Sequence, residues 1–250
     1  MSDKKILFLF DVDGTLTNSR EIIKENMKSF LIDLRSNEKF HIAFVGGSNL
    51  EKQKEQLTEE ILSLFHYKFP ENGIVAYKEN KIINNKSFFD FIDEKKYQKF
   101  INFCLRYIAE LNLPKKRGTF IELRRGLVNI SPIGRNCTQE EREEFYDFDN
   151  KNKIREKMIA ALKKEFHNFP LDYAIGGQIS IDVFPKGFNK TYCLNHIEKN
   201  NYDKIHFFGD KTFQGGNDYE LFNHPDIEGH SVKSPEETLA ILREIIKEFK

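Results

Sequence analysis

The first third of the chain repeats a pattern of apolar runs followed by amphipathic segments. Residues 6–10 are apolar without alternation, as expected for a parallel strand that is buried on both faces of a sheet. From about Glu21 to Ser36 the apolar residues recur at helical spacing. A second apolar run, residues 41–45, precedes another helix from about Glu51. This order predicts the start of a doubly wound, Rossmann-like parallel-sheet core in an α/β fold.

The pattern changes after a predicted hairpin formed by residues 74–77 and 81–83. Beyond it, helices are predicted at 93–111 and 154–166, and strands at 119–123, 127–131 and 180–184. The last of these strands alternates polar and apolar residues, which predicts a half-exposed antiparallel strand. Mixed helices and hairpin strands are typical of an α+β insert. We therefore expect a core of residues 1–83, a cap of residues 84–187 and a return to the core at residues 188–250.

Composition narrows the possible environments and partners. Lys plus Arg and Asp plus Glu are both 39, so the formal net charge is zero. Such a balance gives no general attraction to nucleic acid or to an anionic membrane, and we expect neither as a partner. No long apolar segment predicts a signal peptide or a membrane span, which favours a cytoplasmic protein. The three cysteines show no Cys-x-x-Cys spacing, so we expect reduced thiols.

Two carboxylates follow the first predicted strand. Asp11 and Asp13 stand two residues apart and Gly14 permits a tight turn after them. In open α/β sheets the carboxyl ends of the strands form the ligand site. One carboxylate there can attack phosphorus and the other can transfer protons, while Mg²⁺ suits both as oxygen ligands. The motif thus indicates metal-assisted phosphoryl transfer, although alone it is equally typical of an Asp-Gly turn.

Three later strand ends carry residues of the same chemistry. Ser48 follows a glycine pair after the second strand, Lys190 opens a helix, and Asp210 ends the strand at residues 204–208. Backbone N–H groups, a hydroxyl and an ammonium are suited to a phosphoryl group, and a further carboxylate is suited to a metal. Each has a plainer alternative, such as a tight turn for Ser48 and a solvated surface lysine for Lys190. Together they favour one phosphoryl-transfer site.

This set of motifs resembles the four motifs of the haloacid dehalogenase superfamily. The resemblance covers the whole chain and implies that Asp11 becomes an aspartyl-phosphate while Asp13 is the general acid/base. It further implies that Ser48 and Lys190 hold the phosphoryl group. The metal ligands for Mg²⁺ would be Asp11, Asp13 and Asp210.

Longer stretches of the chain resemble one family within that superfamily, the eukaryotic phosphomannomutases. The stretches that carry this resemblance are residues 69–73, 115–122, 129–135, 176–185 and 208–212. The resemblance implies interconversion of mannose 6-phosphate and mannose 1-phosphate, through a hexose 1,6-bisphosphate that also serves as activator (mannose or glucose 1,6-bisphosphate). It places the reaction before GDP-mannose synthesis and protein glycosylation. The family is also homodimeric through its cap, which this sequence does not itself indicate.

Several polar residues of the insert acquire roles through the same resemblance. It implies that the substrate's phosphate and sugar are bound by Arg20, Arg124, Arg135, Arg142, Ser180 and Asp182. A guanidinium binds phosphate through two hydrogen bonds, so converging arginines would form a second phosphate site on the cap. For any single arginine, above all Arg142 among its glutamates, a surface ion pair is the plainer interpretation.

One stretch departs from the family pattern, and two other functions stay open. After Phe222, where the family's cation-binding loop usually has an Asp and, three residues later, a Thr, this chain reads Asn223-His224-Pro225-Asp226-Ile227. This puts a second, structural cation there in doubt, and His224 is not assigned as a ligand. A Mg²⁺-dependent sugar-phosphate phosphatase would use the same core residues. A non-catalytic sugar-phosphate sensor would be expected to lack Asp11, Asp13 or Asp210, and all three are present. Neither the preference for mannose over glucose nor the physiological activator follows from the sequence.

Overall fold

The computed structural model describes residues 5–249 and divides the chain into two compact units. The first contains residues 5–85, 190–214 and 218–249, and is called the core below; the second contains residues 86–189 and 215–217, and is called the cap. Residues 215–217 group with the cap because the Ile175 N–H donates to the Gly215 carbonyl oxygen at 3.0 Å. None of the helices in this part of the chain has the length and apolar content needed to cross a bilayer.

The core is built on a seven-stranded sheet. Its strands are β1 (Lys5–Phe10), β2 (Phe40–Val45), β3 (Tyr67–Phe69), β4 (Val75–Lys78), β5 (Lys81–Asn85), β10 (Tyr202–Gly209) and β11 (Glu228–Ser231). They lie in the order β11-β10-β1-β2-β3-β4-β5. The first five strands in that order are parallel, and β4 and β5 add an antiparallel edge. The predicted doubly wound parallel core is therefore confirmed.

Helices cover both faces of this sheet. They are α1 (Glu25–Ser36), α2 (Leu50–Leu64), α6 (Tyr219–Phe222) and α7 (Pro235–Lys247), with 3₁₀ segments at Pro70–Gly73, Lys190–His196 and Lys199–Asn201. Phe8 and Phe10 of β1 face the cluster that includes α1, α2 and α7, whereas Leu7 and Leu9 face the segment that contains Cys193. Successive side chains of a strand point to opposite faces, so the unbroken apolar run of β1 is buried on both. The first helix begins at Glu25, not near Glu21 as predicted, and Lys190 opens a 3₁₀ segment, not an α-helix.

The cap combines three helices with a four-stranded antiparallel sheet. The helices are α3 (Glu94–Glu110), α4 (Gln139–Asn152) and α5 (Ile154–Glu165), with a 3₁₀ segment at Phe88–Asp90. The strands are β6 (Ile121–Leu123), β7 (Val128–Ile130), β8 (Leu171–Gly176) and β9 (Ser180–Pro185), in the order β6-β7-β9-β8. One sheet face packs its apolar side chains against α3 and α5. The other face carries polar residues in register, because Glu122 opposes Asn129 and Asn129 opposes Asp182.

One prediction about the cap was wrong, and several elements were not predicted. All six residues of β9 are buried, including Ser180 and Asp182, although their alternation predicted a half-exposed strand. The sequence patterns did not predict strands β3, β8 and β11 or helix α4. Of these, β3 and β11 are short and α4 is mostly polar. The three cysteines are buried free thiols, as expected.

Candidate active site

Asp11 and Asp13 lie where the central strand of the core ends. The Asp11 N–H donates to the Phe208 carbonyl oxygen at 2.8 Å, so the pairing of β1 with β10 continues to the first carboxylate. Gly14 follows with a φ of +83°, a conformation that L residues with a side chain rarely adopt. The chain therefore turns away directly after the strand. Asp11 is 6% exposed and Asp13 is half-buried.

A buried ammonium group lies beside Asp11. Lys190 is 1% exposed, and its Nζ atom lies 2.5 Å from Asp11 Oδ1 and 2.7 Å from Asp218 Oδ1. Burial by itself lowers the pKa of Lys190, but the Asp11 and Asp218 carboxylates outweigh it and raise that pKa above its usual range. The lysine is therefore a fixed cation next to the candidate nucleophile. A solvated surface lysine, the plainer interpretation of the sequence, is wrong.

Asp210 and Asp218 complete an acidic group around Asp11. One oxygen from each of these three carboxylates lies within 4.8 Å of the others. Two glycines make the room: a Cβ at Gly14 would lie 2.7 Å from Asp210 Oδ2, and one at Gly209 would lie 2.7 Å from Asp218 Cγ. Asp218 was not assigned a role from the sequence. Its burial and its bond to Lys190 identify it.

The donor set of this acidic group fits Mg²⁺. Oxygen atoms of carboxylates are the ligands that hard divalent cations prefer. Burial raises the pKa of Asp11 well above its ordinary value, and the neighbouring carboxylates act in the same direction while Lys190 acts against them. Burial also raises the pKa of Asp210, in opposition to its ion pair with Lys211. The two ammonium groups of Lys190 and Lys211 do not balance three carboxylates, so a divalent cation among Asp11, Asp210 and Asp218 would be stabilised. The carboxylate of Asp13 is not in this group.

Asp13 has a separate set of partners. The backbone N–H of Arg20 donates to Asp13 Oδ1 at 2.9 Å, and the Gln56 Nε2–H donates to the same oxygen at 2.8 Å. Arg20 reaches this position with a φ of +66°, and its side chain is exposed. The structure thus connects Arg20 to the site through its backbone. Gln56, which no sequence motif indicated, orients the carboxylate from α2.

Ser48 lies in the loop between β2 and α2. Asn49 caps α2 by accepting from the Lys52 N–H at 3.1 Å, so the loop leads straight into a helix N-terminus. The loop is held from the turn at Pro70–Gly73: the Glu71 N–H donates to the Ser48 carbonyl oxygen, and the Asn72 N–H donates to that of Gly46. Ser48 is half-buried and is therefore accessible to a small anion.

On the polar face of the cap sheet, the predicted residues bond to two residues that the sequence did not indicate, Asn129 and Glu122. Asn129 Nδ2–H donates to Asp182 Oδ1 at 2.7 Å, and Arg135 donates to Asn129 Oδ1. Arg135 and Arg124 also both pair with Glu122. The chain of contacts runs across three adjacent strands, which is why these residues converge. Sequence analysis did not assign Asn129 or Glu122, although both lie in the motif stretches.

Arg142 and Ser180 are buried within the cap, each beside a further arginine. Arg142 is 4% exposed and donates from Nη2 to the Arg135 carbonyl oxygen at 3.1 Å, so it is not the surface ion pair that the plainer interpretation required. Ser180 lies at the hairpin between β8 and β9. Its carbonyl oxygen accepts from Arg155 Nη1 at 3.2 Å. Arg155, which the sequence did not indicate, is fixed in turn by Asp149 at 2.7 Å.

Residues 223–227 are held by contacts within the loop and by an ion pair with Lys199. Asp226 pairs with Lys199 at 2.6 Å, and its N–H donates to His224 Nδ1 at 3.2 Å. The groups of three metal-binding side chains found among residues 5–249 lie elsewhere.

Solved structures of similar fold share the core architecture. A Plasmodium falciparum IMP-nucleotidase superposes with a TM-score of 0.64 at 21% identity, covering 98% of this chain and 69% of that one. A trehalose-6-phosphate phosphatase related protein superposes with a TM-score of 0.57 at 17% identity, covering 96% of both chains. At such identities the likeness shows the fold alone. It confirms the mixed α/β fold with a parallel-sheet core.

Sequence relatives are much closer. A phosphomannomutase of Encephalitozoon cuniculi is 50% identical over 247 residues, which cover 99% of this chain and 96% of the relative. A phosphomannomutase of Saccharomyces cerevisiae is 53% identical over 239 residues, which cover 96% and 93%. A sequence model described as eukaryotic phosphomannomutase matches residues 27–248. Relatives so similar over nearly the full length share one family of enzymes, and this chain belongs to the eukaryotic phosphomannomutases.

Proposed function

We propose that the protein interconverts mannose 6-phosphate and mannose 1-phosphate through a phosphorylated Asp11. The observation that supports this best is the buried contact of Lys190 with both Asp11 and Asp218, beside a second carboxylate, Asp13, that has neutral partners. A nucleophile beside a fixed cation and a separate acid/base group are the two parts that phosphoryl transfer to a sugar hydroxyl requires.

In the proposed first half-reaction, Asp11 takes a phosphoryl group from a hexose 1,6-bisphosphate. An Asp11 carboxylate oxygen forms a bond to phosphorus while the bond between phosphorus and the sugar oxygen breaks. Asp13 gives its proton to the leaving sugar oxygen. Since both hydrogen-bond donors of Asp13 bond to Oδ1, Oδ2 is the oxygen that holds this proton.

The second half-reaction reverses these steps on the other end of a monophosphate. Asp13 takes the proton from a sugar hydroxyl, and that oxygen forms the new bond to phosphorus as the bond to Asp11 breaks. Lys190 stabilises the negative charge on the phosphoryl group through both steps. Mg²⁺, held by Asp11, Asp210 and Asp218, would supply further positive charge at the same group. Ser48 is proposed to hold the phosphoryl group from the helix N-terminus of α2.

The cap is proposed to bind the part of the substrate that does not react. Arg124, Arg135 and Arg142 carry the charge and the geometry to hold a phosphate. Arg20 is proposed, from the family resemblance alone, to bind the substrate's phosphate as well. Asp182 and Ser180 are proposed to bind sugar hydroxyls. Asn129 and Glu122 orient Asp182 and the arginines, as their contacts described above indicate.

A coupled assay tests the proposal. With Mg²⁺, mannose 1-phosphate and a catalytic amount of glucose 1,6-bisphosphate, we expect mannose 6-phosphate to accumulate, and the same assay with glucose 1-phosphate measures sugar preference. Asp11→Asn should abolish turnover and leave sugar-phosphate binding measurable by calorimetry. Release of inorganic phosphate without mannose 6-phosphate would instead identify a sugar-phosphate phosphatase. Full activity of Asp11→Asn would remove Asp11 as the nucleophile.

The cellular setting is proposed from the family alone. We propose a cytoplasmic enzyme that supplies mannose 1-phosphate for GDP-mannose and protein glycosylation, and a homodimer formed through the cap. Light scattering on the purified protein tests the dimer. A monomeric mass of the full chain would contradict the proposed dimer.

A further inference from the structure

Two histidines and a glutamate meet at the edge of the core sheet, apart from the acidic group around Asp11. His206 lies on β10, and Glu228 and His230 lie on β11, the edge strand of the described sheet. In the register of these parallel strands, His206 lies opposite Glu228 and Phe208 lies opposite His230. Residues two apart on a strand share a face, so all three side chains project from the same face of the sheet.

The donor atoms of these side chains are close enough to share one ion. His206 Nδ1 lies 3.0 Å from His230 Nε2 and 3.8 Å from Glu228 Oε1. One donor atom from each of the three residues lies within 4.8 Å of the others. Donors at about 2.1 Å from a tetrahedral zinc ion are about 3.4 Å apart, a value between the two measured separations. Small movements of an edge strand would therefore bring the three donors onto one ion.

The chemistry of the donor set selects zinc over magnesium. Imidazole nitrogen with one carboxylate oxygen is a frequent zinc ligand set, whereas Mg²⁺ prefers oxygen alone. An imidazole has an ordinary pKa of about 6.5 and is mostly neutral at pH 7, so each ring can offer a nitrogen lone pair to a metal ion. Lys204 pairs with the other Glu228 oxygen, Oε2, at 3.1 Å, which leaves Oε1 directed at His206.

The surroundings fix the rings and leave a path for an ion. His206 stacks on Phe8 and His230 stacks on Phe208, with ring centroids 5.4 Å and 4.6 Å apart. His206 is 1% exposed, His230 is half-buried and Glu228 is exposed, so solvent reaches the group from the side of β11. Water can therefore supply the fourth ligand.

We propose that His206, Glu228 and His230 form a zinc site that fastens the edge strand β11 to β10. The proton now shared between the two rings must leave that position when both nitrogens bind zinc. His206 then carries its proton on Nε2, which is buried and has no hydrogen-bond partner among residues 5–249. For this reason we expect an affinity in the micromolar range, not the tighter affinity of a zinc site built from four cysteines.

Calorimetric titration of the metal-free full chain with Zn²⁺ tests the site. The titration is run in excess Mg²⁺, which occupies the acidic group around Asp11. We expect one equivalent of Zn²⁺ to bind, with at least tenfold weaker affinity in His230→Gln and in Glu228→Gln. These two residues are chosen because His206 is fully buried and its replacement endangers folding. His167→Gln, which removes an exposed histidine of the cap, is the matched control and should bind as the wild type does.

Two further readouts separate this site from non-specific binding. Co²⁺ in place of Zn²⁺ should give visible absorption bands that His230→Gln loses, and Zn²⁺ should raise the melting temperature of the wild type but not of that variant. Asp210→Asn should leave Zn²⁺ binding unchanged. Equal affinity in the wild type, His230→Gln and His167→Gln, or no bound equivalent at all, would overturn the proposal and leave the contact as a hydrogen bond between the strands.

Discussion

The carboxylates of Asp11 and Asp13 stand two residues apart and have opposite surroundings. Asp11 is buried against the ammonium of Lys190, whereas Asp13 is half-buried and receives two neutral donors, the Arg20 N–H and the Gln56 amide. The Lys190 ammonium opposes the effect of burial on the pKa of Asp11 and favours the ionised carboxylate that a nucleophile requires. A carboxylate with neutral partners can exchange a proton with a substrate. These surroundings support the roles proposed above, with Asp11 as the nucleophile and Asp13 as the general acid/base.

Gln56→Leu is predicted to lower kcat about tenfold, because Asp13 loses one of the two bonds that orient it and general acid/base catalysis depends on that orientation. The melting temperature should change much less than kcat. Thr17→Val is the matched control, since it removes only the Oγ1 that is the other acceptor of the Gln56 amide and keeps the backbone bridge between Thr17 and Asp13. Steady-state kinetics with mannose 1-phosphate measure the effect.

The double variant gives the decisive comparison for Gln56. In a background of Asp13→Asn, Gln56→Leu should have little further effect, because residues that act through one another are not additive. An undiminished tenfold loss in that background would show that Gln56 acts elsewhere.

Residue positions at strand ends could be predicted, and long-range partners could not. Asp11, Asp13, Ser48, Lys190 and Asp210 all follow or precede an apolar run, and the topology of a parallel sheet brings strand ends together. Gln56 lies 43 residues from Asp13 in the middle of α2, where its spacing is that of any amphipathic helix. Nothing in the local pattern distinguishes it from a surface glutamine.

At the scale of elements, the turn at Pro70–Gly73 supports two parts of the site. Glu71, Asn72 and Gly73 have φ values of +50°, +62° and +88° in succession, a costly arrangement for two residues with side chains. The turn bonds the Ser48 loop through two backbone N–H groups. It also packs on the segment opened by Lys190, because a Cβ at Gly73 would lie 3.0 Å from Cys193 Cα. The strained turn therefore sets the position of both.

Gly73→Ala is predicted to destabilise the protein by about 1–3 kcal/mol through backbone strain, with a further loss from the contact with Cys193. Gly187→Ala is the matched control, since Gly187 has a φ of +80° and a Cβ there would meet no atom within 4 Å. Chemical denaturation measures the loss in free energy of unfolding for both variants. The difference between the two losses is the contribution of the contact with Cys193. Equal losses in the two variants would mean that the Cys193 contact contributes nothing.

A second element, the hairpin between β8 and β9, depends on Arg155. Its Nη1 donates to the carbonyl oxygens of Gly177 and Ser180 at 3.1 Å and 3.2 Å, while Asp149 fixes its Nε.

Since a buried charge that loses its partner is strongly destabilising, Arg155→Met and Asp149→Asn should each lower the melting temperature. The double variant Arg155→Met/Asp149→Leu leaves no unpaired charge and should recover part of that loss. The double variant should still have a higher KM for the sugar phosphate than the wild type, because Arg155 no longer holds the Ser180 carbonyl oxygen. A wild-type KM would limit Arg155 to a role in stability.

The alternation in β9 shows where element patterns mislead. Polar residues at every second position predicted an exposed face, yet Ser180 and Asp182 are buried. Asn129 of β7 bonds Asp182, and Arg155 of α5 bonds the Ser180 carbonyl oxygen, so hydrogen bonds replace water on that face. Polar alternation distinguishes the two faces of a strand but not solvent from a buried polar network.

At the scale of the whole molecule, we expect the response of stability to pH to depend in part on a histidine pair, His41 of β2 and His66 directly before β3. His41 and His66 stack with centroids 3.5 Å apart. Lys5 Nζ donates to His41 Nε2 at 2.9 Å, so His41 donates its Nδ1–H to the Tyr202 hydroxyl. His66 Nδ1 accepts from the Ile42 N–H at 3.2 Å. Protonation of either ring would remove an acceptor already in use.

Burial, with the nearby cations Lys5, Arg35 and Lys78, lowers the pKa of His41 to about 4, and burial lowers that of His66 to about 3. Since these values are below the usual pKa of about 6.5, the unfolded chain binds more protons than the folded one from pH 6.5 downward. Stability from the pair is therefore full above pH 6.5 and is lost as the pH falls toward 4.

His66→Gln should reduce this loss, measured as the fall in melting temperature from pH 7.5 to pH 5. His224→Gln removes a core histidine outside the pair, and its melting temperature should fall as steeply as that of the wild type. If all three proteins responded alike, the pair would not be the source of the acid sensitivity.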